Sequence, residues 1–154
     1  MSGADPLTEL YQYRRISPDI ATSGQPTVAQ FHCVAAQSIQ VVINLGLTDT
    51  DYALPDERGL VESLGMVYEH IPVQWQNPTG DDFKGFIGCM RRYQGQQRLV
   101  HCAANKRVSC FIALYHVFED QWTSEQALED LKVLWYPNEV WQQFMATVLA
   151  QRTE

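Results

Sequence analysis

Apolar stretches that suit buried strands alternate along the chain with segments of helical periodicity. Residues 40–45, "QVVINL", form an apolar run without alternation, which is typical of a strand buried on both faces. The same pattern predicts strands within residues 66–73 and 98–102. Residues 13–22 are expected to form two short extended pieces around the turn residues of "SPD".

Helices are predicted between and after these strands. Thr27 and Gln30 have the spacing of a capping box at the start of one helix, and Thr79 is a candidate cap for another. Gly65 is well placed to end a helix over residues 55–65. The remaining helices are expected near residues 108–120, 124–134 and 137–151, the first of them strongly apolar.

Strands that alternate with helices predict an α/β fold in which helices flank a central, mostly parallel sheet. A chain of 154 residues has the length of one domain, so residues 1–154 are expected to fold as one. Ligands of such sheets bind beyond the carboxyl ends of the strands. Cys102 follows one of these ends and precedes an apolar helix, which makes it the first candidate functional residue.

Composition and charge narrow the range of partners. The net charge of −7 argues against bulk nucleic-acid binding, although a local pocket can still attract a small anion. No apolar run approaches the roughly 20 residues of a membrane span, so no membrane partner is expected. The first residues do not resemble a secretory signal, and the four cysteines have no C-x-x-C spacing. We therefore expect a cytoplasmic protein with reduced thiols, without cofactor or metal site.

The segment "VHCAANKRVSC", residues 100–110, contains the residue types of an anion-binding loop. The amides at the start of the following helix and the helix dipole favour an anion, and they also favour the thiolate of Cys102. The guanidinium of Arg107 can grip two oxygens of a phosphate or sulfate. Asn105 suits a left-handed backbone conformation, and Ser109 is placed to donate a hydrogen bond to the thiolate. The expected anion-binding residues are Ala103, Ala104, Asn105, Lys106, Arg107, Val108 and Ser109.

This loop resembles the signature of the cysteine-dependent phosphatases, the protein tyrosine and dual-specificity group. Their pattern is H-C-x5-R-[ST], with a glycine three residues after the cysteine. His101, Cys102 and Ser109 are in register with it, whereas Val108 occupies the arginine position, one residue after Arg107. Asn105 replaces the glycine.

The segments "SGQPT", "VVINL" and "LGMVYEHIPV" precede the loop in the order found in a bacterial branch of dual-specificity-like phosphatases. This branch was long catalogued as a domain of unknown function, and its members can carry a shorter C-x4-R loop, which matches Cys102 and Arg107. The resemblance covers roughly residues 13–120. It implies a dual-specificity-like phosphatase fold.

The resemblance also implies a two-step phosphatase reaction. The Cys102 thiolate attacks phosphorus to form a cysteinyl phosphate, which water then hydrolyses, while His101 orients the loop. The family uses an aspartate after the strand that ends near Pro72 to protonate the leaving oxygen. Gln74 and Trp75 stand where that aspartate is expected. The nearest candidate acids are Asp81 and Asp82, although both are more readily interpreted as ordinary acids of a helix N-terminus.

Two other functions remain open from the sequence. The departures from the family pattern suit a relative that binds a phosphate or sulfate group without turnover. Rhodanese-type sulfurtransferases also place an arginine five residues after a cysteine. Cys33, Cys89 and Cys110 are interpreted as core residues, with a role for Cys110 as a resolving thiol as the alternative. Neither the substrate nor the oligomeric state follows from the sequence.

Overall fold

A computed structural model describes residues 5–151 and contains a five-stranded sheet. The strands are β1 (Arg14–Ser17), β2 (Ile20–Ser23), β3 (Val41–Asn44), β4 (Val67–His70) and β5 (Arg98–His101). Their spatial order is β1-β2-β5-β3-β4. The β1–β2 pair is antiparallel, whereas all the other pairs are parallel. The predicted mostly parallel α/β sheet is confirmed.

The helices follow the predicted order. They are α1 (Val28–Ala36), α2 (Glu57–Ser63), α3 (Gly80–Arg92), α4 (Lys106–Glu119), α5 (Ser124–Leu131) and α6 (Glu139–Gln151). The capping box of Thr27 and Gln30 is formed, as its spacing predicted. Thr79 caps α3 as expected, and the structure adds a capping box with Asp82. Helix α2 begins later than residue 55, because Asp56 adopts a left-handed conformation and its side chain caps the N–H of Gly59. Helix α5 ends at Leu131, three residues before the predicted end.

Helices cover both faces of the sheet. Val41 and Ile43 of β3 pack with the apolar residues of α3, α4, α5 and α6. Val42, between them, points to the other face and packs with residues of α1 and α2. All three side chains are fully buried, which explains why the strand has an apolar run without alternation.

Of the three cysteines interpreted as core residues, Cys89 and Cys110 are buried, but Cys33 is exposed. The prediction for Cys33 was wrong because Phe31 and Val34 form the buried side of α1 and turn Cys33 towards solvent. Within residues 5–151, no helix is both long enough and apolar enough to span a membrane.

Candidate active site

Three parallel strands end side by side and place Cys102 at the carboxyl edge of the sheet. The carboxyl-terminal residues of β2 and β3, Ser23 and Asn44, are each paired with His101 at the end of β5. Cys102 follows immediately, and its N–H donates a 3.4 Å hydrogen bond to the carbonyl of Ser23. The residue is only 1% exposed. The thiol therefore lies at the position where ligands of parallel sheets bind.

The segment after β2 packs closely on the loop that follows Cys102. The N–H of Gln25 donates to the carbonyl of Ala103 at 3.0 Å. A Cβ on Gly24 would lie 2.6 Å from the same carbonyl oxygen, so any larger residue would displace the loop. This contact gives a physical reason for the glycine of the "SGQPT" segment.

Asn105 is the turning point between the loop and α4. Its backbone is left-handed, with φ 63° and ψ 8°, as predicted. The side-chain amide donates to the carbonyl of Gln12 at 2.8 Å and to Oγ1 of Thr22 at 3.1 Å. Asn105 makes no side-chain cap of α4. The first N–H groups of α4 are thus not occupied by a capping side chain and remain available to an anion.

Arg107 lies in the first turn of α4 and is only 6% exposed. Its Nε has no hydrogen-bond partner, and within residues 5–151 no carboxylate forms an ion pair with it. The guanidinium carbon lies 5.4 Å from the centre of the Trp75 ring. A buried cation without an anionic partner is costly, so this residue is prepared to receive an anion.

The hydroxyl of Ser109 makes its hydrogen bonds with groups other than the thiol of Cys102. Its hydroxyl donates to the carbonyl of Lys106 at 2.7 Å and accepts from Nε1 of Trp135 at 2.9 Å. The ammonium of Lys106 lies 5.4 Å from the centre of the Trp135 ring. In this conformation Ser109 ties Trp135 to the start of α4, and the expected donation to Cys102 is not made.

His101 is completely buried and connects the loop to a carboxylate that the sequence analysis missed. Its Nε2 lies 2.7 Å from Oε2 of Glu57, and its Nδ1 lies 3.3 Å from the carbonyl oxygen of Cys102. Burial by itself would raise the pKa of Glu57. Hydrogen bonds from His101, Gln25 and Tyr68 outweigh burial and lower this pKa below its usual value. Glu57 is one of several acidic residues in the amphipathic segment 55–65, so the sequence pattern did not indicate its contact with His101.

The two candidate acids both lie in the first turn of α3. The carboxylate of Asp82 accepts a hydrogen bond from the N–H of Thr79 at 3.1 Å and completes the capping box there. Asp81 is exposed. Gln74, at the position expected for the aspartate of the family, is exposed as well.

Cys110 lies within α4, behind the loop. Burial raises the pKa of its thiol strongly, and the neighbouring Cys102 contributes in the same direction. The neutral thiol is therefore favoured at this position. Among residues 5–151 no group of three or more His, Cys, Asp or Glu side chains is arranged to hold a metal ion.

The chain is similar to solved structures over nearly its whole length. A candidate phosphatase of the DUF442 group from Shewanella putrefaciens CN-32 is 33% identical, with a TM-score of 0.86, and the alignment covers 96% of this chain and 97% of that one. No protein-family profile matches the chain. A search of curated proteins finds no match either.

More distant structures share the fold. The core catalytic domain of the PP-IP phosphatase SIW14 from S. cerevisiae, in complex with citrate, is 15% identical with a TM-score of 0.74, covering 89% of this chain and 85% of that one. TpbA from P. aeruginosa is 16% identical with a TM-score of 0.75, covering 98% and 92%.

Proposed function

Because the chain belongs to the DUF442 family of dual-specificity-like phosphatases, we propose that it hydrolyses phosphoesters with Cys102 as the nucleophile. The observation that carries the proposal is the buried guanidinium of Arg107, which has no anionic partner among residues 5–151 and stands in the first turn of α4. Cys102 lies at the other end of the same short loop. A phosphoryl group held by the guanidinium and the loop amides would present its phosphorus to the thiolate.

The proposed reaction has two steps. In the first, the Cys102 thiolate forms a bond to phosphorus while the bond from phosphorus to the leaving oxygen breaks, and the leaving oxygen takes a proton. In the second, water attacks phosphorus, the phosphorus–sulfur bond breaks, and inorganic phosphate and the thiolate are released. Arg107 and the N–H groups of residues 103–108 stabilise the charge on the three other phosphoryl oxygens in both steps, whereas the N–H of Ser109 is bonded to the carbonyl of Asn105 at 2.9 Å. His101 supports the loop from behind.

Asp81 is the residue that we propose as proton donor to the leaving oxygen. Asp82 is committed to the capping box with Thr79, whereas Asp81 is exposed and makes no such bond. General acid catalysis contributes roughly 10²–10⁴-fold when the leaving group is poor. Its contribution is small when the leaving group is a stable anion such as p-nitrophenolate.

Hydrolysis of p-nitrophenyl phosphate by the reduced protein between pH 5 and 8 tests the proposal. We expect turnover in the wild type and in Cys33→Ser, which changes an exposed thiol outside the loop, and none in Cys102→Ser. Arg107→Lys keeps the charge but loses the planar fork, so kcat/KM is expected to fall by roughly 10² or more. Turnover that survives in Cys102→Ser would refute the assignment of the nucleophile.

A second candidate function is the binding of a phosphate or sulfate group without turnover. The observation that favours it is the segment after β4, where Gln74 and Trp75 stand in place of the aspartate of the family. This function predicts that the wild type binds inorganic tungstate, a tetrahedral oxyanion, and that Arg107→Ala weakens the binding. It is distinguished from the first candidate by the absence of turnover with every phosphoester tried.

A further inference from the structure

Glu57 lies behind the loop, at the start of α2, and is only 4% exposed. Each of its two carboxylate oxygens contacts a residue that also contacts the loop after Cys102. Oε2 faces Nε2 of His101 at 2.7 Å, and Oε1 accepts from Nε2 of Gln25 at 2.8 Å. The Glu57 carboxylate therefore connects the end of β5, which immediately precedes Cys102, to the segment at Gln25 that packs on Ala103.

His101 links Glu57 to the loop through its two ring nitrogens. One ring nitrogen faces the Glu57 carboxylate and the other faces the carbonyl oxygen of Cys102. The ring is fully buried between these two contacts. The Glu57 carboxylate therefore helps to set the orientation of the ring against the first carbonyl of the loop.

Glu57 also acts on the loop through Gln25. Its side-chain amide is fixed by the carboxylate of Glu57 and by the carbonyl of Pro26 at 3.0 Å. Its backbone N–H donates to the carbonyl of Ala103. The carbonyls of Cys102 and Ala103 are thus each held by a donor that Glu57 orients.

A planar trans peptide group points its C=O and its N–H in opposite directions. When the carbonyls of Cys102 and Ala103 are bonded to His101 and Gln25, the N–H groups of Ala103 and Ala104 face away from them. We propose that Glu57 is a positioning residue that, through His101 and Gln25, sets the first two peptide groups of the loop for oxyanion binding. This assignment rests on the proposed anion site at Cys102 and Arg107.

Glu57→Gln tests the assignment because the amide replaces one of the two carboxylate oxygens by an NH2 donor, so it cannot accept at both the His101 and the Gln25 positions. We expect its affinity for tungstate, measured by calorimetry, to fall at least about tenfold, and kcat/KM to fall in parallel. Glu62→Gln is the matched control, since Glu62 lies on the same helix and pairs only with the exposed Arg58, at 3.5 Å. Its affinity should stay within about twofold of the wild type.

The ¹⁵N chemical shifts of the His101 ring provide a readout that a purely structural role would not change. We expect the ¹⁵N shift of Nε2, which faces the Glu57 carboxylate at 2.7 Å in the wild type, to change in Glu57→Gln. Gln25→Ala keeps the contact between Glu57 and His101, so it should keep the wild-type ring shifts and weaken tungstate binding by a smaller factor. Gln25→Ala also tests the assignment if Glu57→Gln does not fold.

The outcomes separate this assignment from the proposed function. Wild-type protein that binds tungstate more tightly than Glu57→Gln, but turns over no phosphoester, would refute hydrolysis and leave the role of Glu57 standing. His101 ring shifts that are the same in the wild type and in folded Glu57→Gln would overturn the role of Glu57. Wild-type tungstate affinity in folded Glu57→Gln would overturn it as well.

Discussion

The guanidinium of Arg107 lies against the face of Trp75, with 5.4 Å between the guanidinium carbon and the centre of the ring. Trp75 is held in turn by Nε1 of Trp141, which donates to its backbone carbonyl at 3.0 Å. Trp135 lies beside it at a ring-centre distance of 5.6 Å. The cation at the candidate site is therefore oriented by an aromatic cluster that also fixes the segment after β4.

Trp75→Leu should weaken the site without removing it. The variant loses the cation–π contact, which contributes roughly 0.5–2 kcal/mol, so tungstate affinity and kcat/KM are expected to fall by about two- to thirtyfold. Calorimetry and p-nitrophenyl phosphate kinetics measure the two effects. Trp122→Leu is a suitable control, because Trp122 stacks on His116 near the end of α4, away from the loop. Equal losses in both variants would show that the effect comes from general destabilisation.

Asp81→Asn and Asp82→Asn should have different effects. We expect Asp81→Asn to reduce kcat for an alkyl phosphate much more than for p-nitrophenyl phosphate, because only the alkyl leaving group requires a proton. Asp82→Asn should instead lower stability by about 1 kcal/mol through the weakened capping box and leave the ratio of the two rates unchanged. Denaturant unfolding and paired kinetics measure both. If neither variant changes the ratio, Asp81 is not the acid.

The sequence predicted those parts of the fold that depend on local patterns. The capping box at Thr27, the cap at Thr79 and the apolar run of β3 each lie within a few consecutive residues. The elements of the loop at Cys102 and Arg107 were recognisable for the same reason, and the left-handed conformation of Asn105 followed from its residue type.

The partners of the loop were not predictable in this way. Glu57 contacts His101 across 44 positions of the chain, and Trp135 contacts Ser109 across 26. Both contacts arise from the packing of α2 and of the segment after α5 against the loop. In the sequence, Glu57 looks like any acidic residue of a helix and Trp135 looks like any aromatic residue of a core. Ser109 was assigned to the thiol for the same reason, since its competing partners were not visible in the sequence.

Asn105→Ala is expected to destabilise the protein more than Asn105→Gly. Both variants lose the hydrogen bonds to Gln12 and Thr22, but alanine must also adopt the left-handed conformation at φ 63°, which costs roughly 1 kcal/mol more than for glycine. Urea unfolding of the three proteins measures the difference. A glycine variant that is less stable than the alanine variant would mean that the backbone conformation changes in one of them.

The carboxylate of Glu57 should stay ionised to lower pH than an ordinary glutamate. Burial opposes ionisation, but hydrogen bonds from His101 on β5, from Gln25 and from Tyr68 on β4 outweigh it and hold the pKa below the ordinary value of 4.5. Because the pKa of the folded state is the lower one, this group contributes its full stabilisation above about pH 4.5, and the contribution is lost as the pH falls through the folded-state pKa.

A ¹³C NMR titration of the Glu57 carboxyl carbon measures this pKa directly and separates it from the titration of His101. The midpoint is expected below 4.5 in the wild type. It should be higher in Gln25→Ala, since that variant removes one of the hydrogen bonds that lower the pKa while leaving His101 in place. A wild-type midpoint at or above 4.5 would mean that burial dominates. The hydrogen bonds from His101, Gln25 and Tyr68 would then be too weak to offset the burial of the carboxylate.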